Sequence, residues 1–278
     1  MSTLDNIFCL TNVLRMDPFY DYFMTFQLTT PPPGSNYRCD LDRAIPLPYP
    51  INDYKYVLPK ERQLELLKQS GGNKAFGIQV AIDNFQTSFE KDLAIDEYIK
   101  AYNELCRFFK LLGTVFGFIA DDVRDKLDIM MIFRDKKTKN RECYLSVVSM
   151  IQYEIRIHKE SGLIMFGTRT LLRLHRALQF TLLFMTKLSD MTDTDSVSQV
   201  AVEAYGDTLE KHHSWWMGKG ARLAMKMLPD RMTILNKMAA GVDPEKVIDL
   251  TKQCVQAIEP VYEAVQKLFD KYDLHKLE

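Results

Sequence analysis

Apolar residues recur at spacings of three and four along most of this chain, the pattern of helices that bury one face. Ile78, Ile82, Phe85 and Phe89 fall on one face of a first helix. Ile95, Tyr98, Ile99, Tyr102, Leu105, Cys106, Phe109 and Leu112 trace a second, which Gly113 and Thr114 interrupt. A third runs from about Phe116 through Asp122 to Phe133, before a charged loop over 135–141. Residues 144–158 and 168–187 read as helices, and Val197, Val200, Ala201, Ala204, Tyr205, Thr208 and Leu209 as the stripe of another. Asp193, Thr194 and Asp195 read as helix-capping loop residues. Asp243 and Pro244 mark a helix start, because aspartate caps well and proline suits the first helical position. Alternating β-branched runs are nearly absent. From Phe76 onward the chain is expected to be all-α, with about eight helices in one domain over 76–278.

Residues 1–75 follow another pattern. Pro31, Pro32, Pro33 and Gly34, then Pro46, Pro48 and Pro50, forbid a long helix. Phe19, Tyr20, Tyr22 and Phe23 are too aromatic for a typical disordered tail. This stretch reads as a partly ordered extension, with a short helix over 59–70 ended by Gly71 and Gly72.

Composition narrows the class. The chain has 278 residues, with 36 Lys and Arg against 37 Asp and Glu. A near-neutral balance argues against nucleic acid as partner, since phosphates demand a basic excess. No run approaches the roughly 18 apolar residues of a membrane span, and no secretory leader is expected. Cys9, Cys39, Cys106, Cys143 and Cys254 are scattered, without a C-x-x-C pair, as expected of reduced thiols in the cytoplasm.

Three features could carry chemistry. Arg169, Arg173 and Arg176 lie in the first half of the 168–187 helix, and the first two share a face about 40° apart. Buried guanidinium groups need anions, so internal carboxylates, solvent or a ligand should meet them. Asp122 and Lys126 repeat the four-residue spacing, which by itself describes an ordinary surface pair worth a few tenths of a kcal/mol. His212 and His213 precede Trp215 and Trp216; neighbouring helical positions point about 100° apart, so the two histidines cannot share a metal. Neither a metal nor a cofactor is expected. The tryptophans suit either a core or a membrane interface. Neither a G-x-S-x-G elbow nor a Walker loop occurs, and no nucleophile accompanies His213, so a phospholipid hydrolase is disfavoured.

Together these stretches resemble the glycolipid transfer protein superfamily, in its ceramide-1-phosphate transfer branch. One matching block spans 112–126 with Gly113, Phe116, Asp122 and Lys126; a second spans 167–178 with Gly167, Arg169, Arg173 and His175. The third spans 204–215 with Tyr205, Leu209, His213 and Trp215, followed by Pro229 and Asp230. The resemblance implies a two-layer helical sandwich that takes up one sphingolipid. It implies that Asp122 accepts from the ceramide amide N–H and that His213 donates to the amide carbonyl. Lys126, Arg169 and Arg173 would hold the headgroup, Phe116, Ile119 and Leu209 would line the chain sleeve, and Trp215, Trp216 and Lys219 would dock on membranes. In the branch that binds neutral glycolipids, the position of Lys126 is similar to an asparagine and that of Arg173 to a tryptophan that stacks on sugar. Cations at both places favour phosphate.

Two departures stand out. Gly218 and Lys219 stand where close relatives have two consecutive basic residues, and His212 doubles the histidine. The expectation is a non-enzymatic monomeric carrier of ceramide-1-phosphate, cytoplasmic and peripherally bound to membranes. A sphingolipid sensor or adaptor, or a carrier of another sphingolipid such as a glycolipid, is the alternative.

Overall fold

The computed structural model describes residues 75–277 except 137, 139, 193 and 240–242. The extension expected over 1–75, with its helix over 59–70, lies outside the described residues apart from Ala75. The described residues form nine α-helices and no strand: α1 (Ile78–Glu90), α2 (Ile95–Leu111), α3 (Thr114–Arg134), α4 (Val147–Ser161), α5 (Phe166–Asp190), α6 (Val197–Asp207), α7 (Trp215–Met225), α8 (Arg231–Ala239) and α9 (Pro244–Tyr272). Short 3-10 turns occupy Arg141–Tyr144 and Glu210–His212.

α1 packs on α2, α2 on α3, α3 on α5, α5 on α9, and α9 back on α1. These five close a ring, with α4 and α6 against α5, α7 against α6, and α8 against α2 and α9. The result is the all-α two-layer sandwich. The ring encloses one apolar core in which Tyr98, Tyr102, Phe108, Phe184 and Phe269 are almost wholly buried.

Local chemistry sets the boundaries. Gly113 ends the α2–α3 turn at φ 119°, a conformation costly for any residue with a Cβ. Ser146 opens α4 in a capping box with Ser149, each hydroxyl accepting from the other's backbone N–H at 3.1 Å. Asp243 caps α9 by accepting from the Glu245 N–H at 3.1 Å, with Pro244 next, as anticipated.

Several expectations are corrected. Phe89 is 47% exposed, because α1 ends one residue later and the chain turns off its packing face. Tyr144 belongs to the 3-10 turn rather than to α4, whose start Ser146 takes. Thr208 and Leu209 lie beyond the end of α6. Ser196, not the preceding aspartates, caps α6, accepting from the Gln199 N–H. Asp195 instead accepts from the Thr192 N–H at 2.6 Å, and Asp193 lies outside the described residues. The His pair is not helical: His212 ends a 3-10 turn and His213 is extended, so the helical-angle argument does not apply to it.

α5 is fixed at three places. At its start, the carboxylate of Glu154 accepts from the Gly167 N–H (2.8 Å), the Thr168 N–H (2.7 Å), the Thr168 hydroxyl (2.6 Å) and the Tyr144 hydroxyl (3.3 Å). This answers the unpaired donors and positive end of the helix. Burial pushes the Glu154 carboxyl up from its ordinary value, and these donors pull it back. A Cβ on Gly167 would stand 2.7 Å from Met150 Sδ, so glycine lets α4 approach. In the middle, Tyr102 donates to the Leu174 carbonyl at 2.6 Å. Facing α9, His175 stacks on Tyr262 with ring centroids 4.4 Å apart, and its Nε2 meets Gln266 Oε1 at 2.8 Å.

His175 makes the fold acid-sensitive. Burial, the largest influence, lowers its pKa from 6.5 to about 4. Between those values the unfolded chain binds the proton that the folded chain excludes, so stability falls as pH drops through that window, by about 3 kcal/mol in all. Urea midpoints measured from pH 7 to 4 are expected to fall, and His175→Gln is expected to flatten that slope. An unchanged slope in the variant would assign the acid response to other groups.

Candidate functional site

The cations sit on the fixed part of α5. Arg169 and Arg173 are in its first half, both partly buried, while their neighbours Leu171, Leu172 and Leu174 are sealed in the core. Helical geometry puts the two guanidinium groups on one face. The second half holds the helix in place, with Leu178, Phe180, Phe184 and Met185 buried as its apolar pattern requires.

α3 packs against α5 and carries Asp122 and Lys126. Lys126 Nζ lies 2.7 Å from Asp122 Oδ2 and 3.3 Å from the Asp122 carbonyl oxygen. The lysine side chain is only 17% exposed, whereas Asp122 is 54% exposed. The ammonium therefore lies along α3 with its stem covered, and the carboxylate faces outward. The three cations and one carboxylate sum to +2.

His213 follows the 3-10 turn after α6. Its Nδ1 lies 2.8 Å from the hydroxyl of Tyr205, a buried residue of α6. A phenol is a better donor than acceptor. When the phenol donates to Nδ1, the neutral ring carries its proton on Nε2. Glu210 takes Arg222 in a two-pronged pair at 2.8 and 2.6 Å, tying this turn to α7. Arg169, Arg173 and His213 all take part in further side-chain interactions.

The structure thus pairs Asp122 with Lys126, puts Arg169 and Arg173 on a helix packed against theirs, and orients His213 through Tyr205. In the sequence Tyr205 stands out only as part of an apolar stripe and of a matching block, with no role toward His213. Its partner lies eight residues away across a broken helix end, a spacing no helical pattern marks. Phe116 is 1% exposed and lies near Phe109, rings 6.5 Å apart, while Ile119 and Leu209 are half-buried against the core.

Trp215 is 59% exposed, and Lys219 Nζ lies 3.6 Å from its ring centroid. Trp216 follows in α7, its side chain outside the described residues. Leu223 continues the four-residue stripe on α7, and Met227 and Met232 beyond it are exposed as well. This stripe was legible as spacing but was masked by the glycines at 218 and 220. Among the described residues, no helix is long and apolar enough to cross a membrane and no cluster of His, Cys, Asp and Glu suits a metal.

A helical sandwich with partly buried cations on α5 and an exposed tryptophan at its rim matches a known class. The glycolipid transfer protein (GLTP) family model covers residues 93–240, more than half of the chain, and the chain belongs to that family. Within it, the chain is similar to the ceramide-1-phosphate transfer protein of Danio rerio, 34% identical over 215 residues, which are 73% of this chain and 98% of the relative. It is also similar to the crystal structure of the mouse ceramide-1-phosphate transfer protein in its apo form: TM-score 0.67, 32% identity, 73% of this chain and 100% of that one. The human protein in complex with 12:0 ceramide-1-phosphate aligns with TM-score 0.66 and 31% identity over 73% of this chain and 100% of its own.

The ring orientation of His213 can be measured. Nitrogen-15 NMR of the neutral side chain is expected to find the Nε2–H tautomer, and Tyr205→Phe is expected to mix the tautomers. An Nδ1–H form in the unmodified protein would reverse the assigned donor.

Proposed function

We propose that this chain moves ceramide-1-phosphate, or a close sphingolipid with a phosphate headgroup, between membranes without catalysing a reaction. The observation that carries this reading is the set of three cations at Lys126, Arg169 and Arg173, with a lysine and an arginine at the two positions that the resemblance associates with sugar binding. A phosphate monoester carries about −1.5 to −2 charges at pH 7, which balances a site of +2. Arginine forks pair two phosphate oxygens at once. Asp122 accepts from the amide N–H and His213 Nε2 donates to the amide carbonyl, so the polar waist of the lipid is read from both sides. The names and bound lipid of the ceramide-1-phosphate relatives support the same headgroup.

The tails explain why a carrier is needed. Each CH₂ moved from lipid to water costs about 0.8 kcal/mol, so a two-chain lipid leaves a bilayer against well over ~10 kcal/mol. The sandwich offers an apolar exchange. Phe116 is sealed and Leu209 half-buried against the core, so making room for lipid chains beside them requires the surrounding helices to separate.

The rim of α7 serves as the docking face. Trp215, Leu223 and Met227 insert at the lipid interface and Lys219 meets anionic headgroups. The carrier works as a monomer at a cytoplasmic membrane face. A sensor or adaptor role is the second reading. It is favoured by the quarter of this chain that has no counterpart in the matched relatives.

Three measurements test the proposal. Arg173→Leu and Lys126→Ala are expected to abolish transfer of labelled ceramide-1-phosphate between vesicles with helicity unchanged, since losing one partner of a desolvated charged contact costs about 2–5 kcal/mol. Equal transfer of chain-matched glucosylceramide by the unmodified protein would defeat the phosphate assignment. Leu223→Ser is expected to slow transfer severalfold while leaving affinity for short-chain lipid in solution intact. An unchanged rate would move docking elsewhere.

A further inference from the structure

The turn that leads into His213 is tied to the rim helix by an ion pair. Glu210 lies in the 3-10 turn Glu210–His212, and its carboxylate accepts from Arg222 Nε at 2.8 Å and Nη2 at 2.6 Å. The pair is lodged between α6 and α7. A Cβ on Gly206 would stand 3.6 Å from Glu210 Oε2 and 3.7 Å from Arg222 Nη2. One on Gly218 would stand 3.8 Å from Glu210 Oε1 and 3.7 Å from the Tyr205 hydroxyl. The ion pair therefore borders the hydroxyl that meets His213 Nδ1.

Arg222 also reaches the outer face of α7. With Trp215 at zero on the helical wheel, Lys226 stands at about 20°, Lys219 at about 40°, Leu223 at about 80° and Arg222 at about −20°. Trp215, Lys219, Leu223 and Lys226, the last being the helix C-cap, are exposed. Gly218, Ala221, Ala224 and Met225, on the far side, are buried. Arg222 stands at the edge between the two, its side chain 41% exposed and that of Glu210 38% exposed.

We propose that an anionic bilayer competes with Glu210 for Arg222 and that docking thereby loosens the turn before His213, an inference that rests on the readings of α7 as the docking face and of His213 as the amide donor. Charge complementarity sets the partner. Three cations and an exposed tryptophan along one face fit a leaflet with negative headgroups above an apolar layer. The magnitudes are matched. An exposed ion pair holds by roughly fivefold at most, and a cation at an anionic leaflet gains about fivefold. The contest for Arg222 is close to even, so the charge of the leaflet decides it. Away from membranes the pair keeps the turn fixed beside Tyr205. At a charged leaflet Arg222 turns to a headgroup, and the polar hold on the lipid amide slackens where lipid enters and leaves.

The test uses the full-length chain with vesicles of phosphatidylcholine, alone or mixed with phosphatidylserine, at concentrations that saturate attachment. Phosphatidylserine is expected to speed uptake of labelled ceramide-1-phosphate by about fivefold. Glu210→Gln keeps all three cations; it is expected to load from neutral vesicles as fast as the unmodified protein loads from anionic ones, and to lose the gain. Hydrogen exchange reads the turn independently of transfer. The His212 and His213 N–H groups, which donate to the Leu209 and Glu210 carbonyls at 2.9 and 3.1 Å, are expected to exchange faster on anionic than on neutral vesicles in the unmodified protein. An equal gain from phosphatidylserine in both proteins, with that exchange indifferent to vesicle charge, would overturn the coupling and leave the docking face standing. The same loosening by soluble phosphoserine would make the trigger a free anion and overturn the bilayer assignment. If tryptophan fluorescence shows no attachment of the unmodified protein to anionic vesicles, the docking reading itself falls, and the coupling with it.

Discussion

A guanidinium group held against an apolar core must be met by negative charge, and α5 presents two such groups on one face. The surrounding framework keeps them there. Glu154 anchors the start of the helix, Tyr102 grips its backbone at Leu174, and His175 locks it to α9 through Gln266 and Tyr262. Each contact is made by a residue whose own burial would be costly without a partner. Polar groups inside the sandwich are therefore spent on orientation, and the cation face of α5 cannot rotate away without breaking them.

Headgroup and tails divide the work. Apolar exchange supplies most of the free energy but cannot distinguish one two-chain lipid from another. On the proposed reading, discrimination falls to a few polar atoms: the Lys126–Asp122 pair, the two arginines, and a histidine whose Nδ1 meets the Tyr205 hydroxyl. Because Asp122 pairs with Lys126 at 2.7 Å, a phosphate taken up on the proposed reading exchanges one partner for another rather than meeting a bare charge.

Much of the fold was legible in the sequence because its helices bury a clear stripe. α2 shows this best: the residues from Tyr98 to Phe109 that recur at three and four are the ones now sealed. α7 and α8 were missed as helices because they are short, 11 and 9 residues, and α7 leaves Trp215 and Leu223 exposed. The break after α6 was missed because Thr208 and Leu209 continue the apolar spacing although the backbone does not continue the helix. Within the site, Asp122 with Lys126 and Arg169 with Arg173 are one helical turn apart, which a linear pattern records. Tyr205 with His213, and Glu154 with the start of α5, are contacts made only by folding, and no local pattern announces them.

The account stands or falls on which headgroup the cations select. Native mass spectrometry can read this directly, after incubating the full-length chain with vesicles holding equal amounts of ceramide-1-phosphate, phosphatidic acid and glucosylceramide. One ceramide-1-phosphate per chain is the predicted result. Preferential retention of the neutral glycolipid would contradict it.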